Sequence, residues 1–390
     1  MLFNSMTFVI FLTIVFMIYW AVPHKYRWLL LLCASYYFYM SWNSKYIVLI
    51  LFMTIVSYLA ARLLEQERLQ NKKNIILLVT IVMCLGLLLF YKYFNFFSNS
   101  VIEALNIFAL QLHPVTLNIV LPIGISFYTF QTLAYVIDVY KGKVAAERHF
   151  GIYATFISFF PQLLAGPIAR AESILPQIRE KHQFDCEKAL YGAKMVLWGY
   201  FKKIVIADLL VGYVDQAFGS IHEYTGFVWI LIAFFLSLQI YCDFSGYSDI
   251  AIGTAKFFGI DLKTNFKSPY FADSIKEFWT RWHISLSTCF RDYVYIPLGG
   301  NRCSHMRKAL NLMITFLVSG LWHGANWTFV IWGGIHGAAQ ILENVFMKGL
   351  HAVRTKKVGK FFMTLGVFIF CSLAWIFFRA DTFADAFYVI

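Results

Sequence analysis

The feature that most limits this chain is a succession of apolar runs, each close to the length needed to cross a lipid bilayer. A spanning helix needs roughly 20 apolar residues, because the hydrocarbon layer is ~30 Å thick and each helical residue rises ~1.5 Å. Such runs fall at 5–22, 28–42, 45–62, 74–92, 117–139, 149–165, 190–212, 225–243, 310–322, 326–346 and 361–378. Several are short or carry polar residues, as expected of tilted, broken or re-entrant segments buried against protein rather than lipid. The reading is an all-α polytopic membrane protein with about 10 to 12 membrane segments. Only 14% of the 390 residues are charged, against about 25% in soluble proteins, so a soluble fold of this length would lack polar surface. The aromatic share of 19% suits a lipid-facing surface with interfacial Trp and Tyr.

The net charge of +12 would suggest nucleic acid in a soluble protein. Here Lys and Arg gather in short loops between apolar runs, which is a topology signal and excludes that class. His24, Lys25 and Arg27 follow the first run, and Arg62, Arg68, Lys72 and Lys73 follow the third, whereas Ser41 to Ser44 between the second and third carry no charge. This alternation puts the N-terminus outside and the basic loops, with Lys141, Lys143 and Arg148, in the cytoplasm. Met1 to Trp20 lack a basic start and an Ala-x-Ala-like cleavage site, so a retained first helix is expected rather than a signal peptide. The seven Cys form no CxxC pair, and several lie within apolar runs, which predicts neither a disulfide framework nor a metal site. No repeat or Pro/Gly/Ser-rich linker divides the chain, so residues 1–390 read as a single membrane domain, interrupted by polar stretches at 166–189 and 260–308.

Polar and ionisable groups in a bilayer cost a few kcal/mol each, and those that persist there are usually functional. The densest cluster is Asp273 to Ser287, where helical spacing puts Trp279, Trp282 and His283 near one face and pairs Glu277 with Arg281. It continues through Arg291-Asp292-Tyr293 to Ile296-Pro297-Leu298-Gly299-Gly300-Asn301-Arg302, where the glycines stop the helix. An interfacial amphipathic helix is the plainer alternative. A second cluster, Gly320-Leu321-Trp322-His323-Gly324-Ala325-Asn326-Trp327, sits between two apolar runs and puts His323 at membrane depth. Imidazole is the side chain best suited to accept a proton near neutral pH, although a helix-packing histidine is the alternative. In a third, Asp243 and Asp249 end an apolar run. Either is placed to orient a histidine or a cation, or to cap a helix end. In a fourth, Pro161, Gly166 and Pro167 break a helix within Phe160 to Ile168, which reads as a re-entrant loop of structural role. His336 is placed either to share the site or to pack between helices, and His305 sits in a basic, solvated loop.

These residues resemble the membrane-bound O-acyltransferase family. The resemblance rests on Trp282-His283-Ile284-Ser285-Leu286-Ser287, Arg291-Asp292-Tyr293 with Tyr295 to Arg302, and Gly320 to Trp327. Leu121 to Gln131, Phe160 to Ile168 and Asp243 to Asp249 extend it over essentially the whole chain. It is closest to the bacterial polysaccharide branch that includes the alginate and peptidoglycan O-acetyltransferases, and the loop Tyr295 to Arg302 favours that branch over the D-alanyl-lipoteichoic acid branch. The resemblance implies a ring of tilted helices around a central pore. It also implies two key histidines, His283 and His323, reached by a cytosolic acyl donor from one face and an external acceptor from the other. The resemblance implies that relatives commonly continue with further helices beyond the point corresponding to Ile390, so either a shorter variant or a truncated C-terminus is expected.

The expected reaction is acetyl transfer from a cytosolic thioester, acetyl-CoA, to a hydroxyl of an extracytoplasmic polysaccharide, alginate-like or peptidoglycan. No cofactor is bound, since the donor is a substrate. His323 is the expected base and His283 the residue that orients or polarises the reactants. Trp282, Trp322, Asn326, Asp243 and Ser285 are expected to shape the substrate pocket. The resemblance further implies a multi-pass protein of the bacterial cytoplasmic membrane, working with an extracytoplasmic esterase-like partner. The rival class is a transporter or channel with a His-lined pore and no chemistry; it lacks a visible inverted repeat, and it would leave a labelled thioester intact.

Overall fold

The computed structural model describes residue 1 and residues 3–108, 112–163, 166–346 and 357–390. Among these the regular structure is helical, without strands. The α-helices are α1 (Met6–Ala21), α2 (His24–Met40), α3 (Ile47–Gln66), α4 (Gln70–Leu88), α5 (Phe94–Asn106), α6 (Ile125–Tyr140), α7 (Phe150–Ser158), α8 (Phe160–Leu163), α9 (Ala171–Arg179), α10 (Cys186–Tyr200), α11 (Asp208–Gly219), α12 (Phe227–Lys256), α13 (Ile275–Arg281), α14 (Ile284–Phe290), α15 (His305–His323), α16 (Trp327–Phe346), α17 (Lys357–Arg379) and α18 (Phe383–Val389). Four continuous helical stretches among the described residues are long and apolar enough to cross a bilayer unaided: Ser44–Gln66, Gln70–Asn106, Phe227–Lys256 and Lys357–Arg379. The other expected segments are shorter or interrupted.

The differences from the expected boundaries have local causes. The run 117–139 is helical only from Ile125, because Pro122 and Gly124 precede it. Gly124 has φ +77°, and a Cβ there would lie 2.8 Å from the Leu163 carbonyl oxygen. The run 149–165 breaks at Phe159, before Pro161. There the Phe160 N–H turns to Ser35 Oγ, and the Phe156 carbonyl it abandons accepts from the side-chain amides of both Gln131 and Gln162 at 2.9 Å. The Phe160 N–H and the Phe156 carbonyl freed by the break thus both find side-chain partners. Part of the expected re-entrant loop, Leu164 and Ala165, lies outside the described residues. The expected end of a run at Asp243 is overturned: α12 is a 30-residue helix that carries on past Asp243 to Lys256, so Asp243 and Asp249 lie inside the helix and cap nothing.

The described residues form two compact units. The first comprises Met1–Leu197 and Asp249–Lys263. Its interior is aromatic, with Tyr153 buried and bonded through its hydroxyl to Ser57 Oγ at 2.6 Å. Gly151 leaves room for the Trp28 ring, which a Cβ would meet at 2.2 Å. The second comprises Trp198–Ser248 and Thr264–Ile390 and carries His283, His323, Trp282, Trp322, Asn326, Asp243 and Ser285. Its core gathers Phe278, Trp282, Trp332, Trp375 and Ile376. A polar thread runs through it: Trp375 Nε1 donates to Tyr270 Oη, which donates to the Ser237 carbonyl, while Ser237 Oγ bonds Ser372 Oγ between α12 and α17.

Helices α15 and α16 approach through glycine. A Cβ on Gly320 would lie 2.2 Å from the Phe329 carbonyl oxygen, and one on Gly333 would lie 2.2 Å from that of Phe316. Small residues at such crossings let helix backbones meet where lipid offers no hydrophobic drive. Gly333→Ala is expected to lower thermal stability in detergent by at least the ~1–3 kcal/mol typical of overpacking. Gly334→Ala, whose Cβ would meet only Leu317 Cδ2 at 3.5 Å, should leave it unchanged. Equal melting of the two variants would refute the close packing at Gly333.

Candidate active site

The sequence Ser274-Ile275-Lys276-Glu277 starts α13 as a reciprocal cap. Ser274 Oγ accepts from the Glu277 N–H at 3.1 Å, and Glu277 Oε2 accepts from the Asp273 N–H at 2.9 Å. The other Glu277 oxygen accepts from Arg281 at 2.7 Å, the i, i+4 pair expected from spacing. The helix then ends. Trp282 and His283 were expected on one continuous helical face with Trp279; instead Trp282 is extended and His283 adopts φ +43°, ψ +54° before α14 begins. A left-handed non-glycine residue costs of order 1–3 kcal/mol and persists only where its surroundings over-determine it, most often at functional sites.

Those surroundings are supplied by residues 265–267, running alongside the break. Lys267 N–H bonds the Arg281 carbonyl and Ile284 N–H bonds the Asn265 carbonyl, both at 2.9 Å. Asn265 is fully buried. Its Oδ1 accepts from Ser285 N–H at 3.1 Å, from Ser285 Oγ at 2.9 Å and from His283 Nδ1 at 3.1 Å, while its Nδ2 donates to Ser248 Oγ at 3.3 Å. His283 is 2% exposed, with its ring edge-on to Phe244 at 4.5 Å. It lies outside the membrane-spanning helices, and burial, reinforced by the neighbouring His323, holds its pKa well below the ordinary histidine value. Trp282 is buried against Trp375 at 4.9 Å and Phe278 at 5.4 Å.

His323 is the last residue of α15, its ring against Trp332 at 5.2 Å and Phe378 at 5.4 Å. It lines a cleft of about 320 Å³ with Gln239, Asp243, Phe244, Trp282, Trp375, Phe378 and Arg379. Asp243 is held by Lys203, which also binds Asp208 at 2.7 Å. A π-helical segment, Phe201–Ala207, delivers Lys203, and such wide turns recur at functional sites. Arg379 is tied to Asp215 at 2.8 Å.

A second cavity, of about 440 Å³, has an apolar floor that includes Trp279, Ile284 and Phe316, with Lys276, Arg291 and Lys308 among its lining cations. Trp282 lines the first cavity and Ile284 the second, and the buried His283 lies between them in sequence without lining either.

Of the expected site residues, His323, Asp243 and Trp282 meet in the cleft, and His283 and Ser285 are joined through Asn265. Trp322 does not line the cleft; its ring stands edge-on to Phe290 at 6.3 Å. Asn326 does not line it either: its Oδ1 accepts from Thr328 N–H and its Nδ2 donates to the Asp381 carbonyl, so it starts α16 and ties down the chain after α17. His336 is fully buried and accepts from Trp279 Nε1 at 3.3 Å, the helix-packing arrangement. Asn265, Lys203, Trp375 and Arg379 were missed. Lys203 and Asn265 carry no local motif, while Trp375 lies within the apolar run 361–378 and Arg379 just beyond it.

Sequence comparison supplies the family. The profile of the membrane-bound O-acyltransferase family matches residues 149–380. The chain is 39% identical over 384 residues to a probable alginate O-acetylase of Azotobacter vinelandii, covering 98% of this chain and 75% of that protein. It is 37% identical over 391 residues to a peptidoglycan O-acetyltransferase of Helicobacter pylori, covering 93% and 72%. A teichoic acid D-alanyltransferase of Streptococcus thermophilus is 26% identical, covering 70% and 72%. With the profile over more than half its length and such relatives over nearly all of it, the chain belongs to the membrane-bound O-acyltransferase family.

Proposed function

We propose that this multi-pass membrane acyltransferase moves an acetyl group from a cytosolic thioester, acetyl-CoA, to a hydroxyl destined for an extracytoplasmic polysaccharide such as an alginate-like polymer or peptidoglycan. The observation that carries the reading is the pair of cavities flanking Trp282-His283-Ile284, one holding His323 and the other ringed by lysine and arginine. A hydroxyl has a pKa far above 7, so its attack on a thioester needs a positioned base. His323 is that base, and the cleft holding it with Asp243 receives the acceptor. Trp282 and Trp375 wall the cleft and limit wasteful hydrolysis. Lys276, Arg291 and Lys308 carry the charge that the positive-inside rule assigns to the cytoplasmic face, and they suit the phosphates of the donor. The protein works in the bacterial cytoplasmic membrane, beside an extracytoplasmic esterase-like partner that completes the transfer.

The test uses membranes containing the full chain, radiolabelled acetyl-CoA and isolated polysaccharide. Ester-linked label on the polysaccharide that depends on the chain supports transfer. An intact thioester throughout would identify a transporter instead.

A further inference from the structure

We propose that Asn265 is a positioning residue that locks His283 in one tautomer, with the proton on Nδ1 and the lone pair on Nε2, so that His283 enters the reaction as a proton acceptor. The inference rests on the acyl-transfer reading for its chemistry, but not for its geometry.

The orientation of Asn265 is set by a group that has no choice. Ser285 N–H is an obligate donor and bonds Asn265 at 3.1 Å, so the atom it meets is the carbonyl oxygen Oδ1. The amide nitrogen then faces Ser248 Oγ. His283 Nδ1 meets the same Oδ1 at 3.1 Å. A carbonyl oxygen only accepts, so Nδ1 must carry the hydrogen, and in the neutral ring Nε2 is bare. The Asn265 carbonyl, bonded to Ile284 N–H, and its side chain, bonded to Ser285, clamp both residues after the ring. They hold His283 in its left-handed backbone conformation.

A ring held this way is unable to polarise the donor carbonyl while neutral, because its free nitrogen has no hydrogen to donate. The role expected from sequence, hydrogen bonding to the thioester carbonyl, is thereby replaced by proton acceptance. The balance is complete: the acceptor O–H bond breaks and a C–O ester bond forms while the C–S bond breaks. The hydroxyl proton passes through the imidazoles to the departing thiolate, leaving a free thiol. His283 is next in sequence to Trp282 of the cleft wall and to Ile284 of the cation-lined cavity, and it takes up and returns the proton at Nε2, since Nδ1 is committed to Asn265.

The charged groups around the ring leave the lone pair available. His323 acts on it electrostatically, Asp243 on the adjoining α12 is held by Lys203, and Glu277 on α13 is held by Arg281.

The test compares Asn265→Asp and Asn265→Ala in the full chain reconstituted in nanodiscs. Asp keeps the accepting oxygen and adds a charge that favours imidazolium. The expected result is substantial retained transfer by Asn265→Asp, with the acid limb of its pH–kcat profile moved to higher pH, because the neutral acceptor form then requires less acidic solution. Asn265→Ala is expected to lose roughly 10²-fold in kcat, the low end of acid–base contributions, with KM for acetyl-CoA changed only a few-fold. ¹⁵N-histidine NMR, with His283 identified by its loss in His283→Gln, gives a readout independent of turnover: Nδ1 protonated and Nε2 bare. The opposite tautomer, or an Asn265→Asp profile that does not move, overturns the proposal. Absence of acyl transfer by the unmodified chain, with the expected NMR pattern intact, would instead overturn the proposed function alone.

Discussion

Replacing His323 by alanine is expected to lower acetyl transfer by 10²-fold to 10⁴-fold, the range over which a positioned general base acts. The loss should fall on kcat and kcat/KM alike, because the proton is taken only as the transition state forms. The fold is not expected to suffer comparably. His323 ends α15 and is partly exposed at a cleft, and the packing of that helix against α16 is carried by Gly320 and Gly333. His323→Gln, which keeps size and polarity without basicity, should be nearly as inactive. Steady-state rates on protein of equal thermal stability check this; undiminished polysaccharide acetylation by correctly inserted His323→Ala would end the assignment.

The second large effect is expected on donor binding. Lys276, Arg291 and Lys308 share the wall of the cation-lined cavity. A hydrogen bond to a charged group is worth about 1.5–3 kcal/mol, so losing three phosphate contacts amounts to at least ~10²-fold in affinity even with strong non-additivity. The triple variant Lys276→Gln, Arg291→Gln, Lys308→Gln is therefore expected to raise KM for acetyl-CoA by roughly 10²-fold, with kcat within a few-fold. Uniform loss of binding has that signature. The difference between acetyl-CoA and a phosphate-free thioester, acetyl-pantetheine, should shrink in the variant. An unchanged KM would place the donor elsewhere.

The legible part of this fold was whatever local chemistry announces. Apolar length placed most helices, and Gly320 to Trp327 marked the end of α15 and its histidine. The Glu277–Arg281 pair followed from spacing alone. What escaped was set by distant partners. The halt of α13 before Trp282 has no glycine or proline to signal it; it depends on Asn265 and Lys267 offering hydrogen bonds from another loop. Asp243 looked like a helix end because the apolar run stops there. The helix continues because Lys203, brought by a π-helical turn, satisfies the carboxylate inside it. Asn326 was drawn toward the site by its place beside His323, yet its amide is committed to Thr328 and Asp381. Proximity in sequence to a reactive residue is thus weaker guidance than the hydrogen-bond inventory of the side chain.

The most direct measurement is a double-mutant cycle on single-turnover acetyl transfer with His283→Ala, His323→Ala and the double variant. Residues that serve one proton transfer fail together, so the double variant should be no slower than the slower single variant within a few-fold. Losses that multiply, or full activity in either single variant, would show that the two imidazoles do not share a reaction.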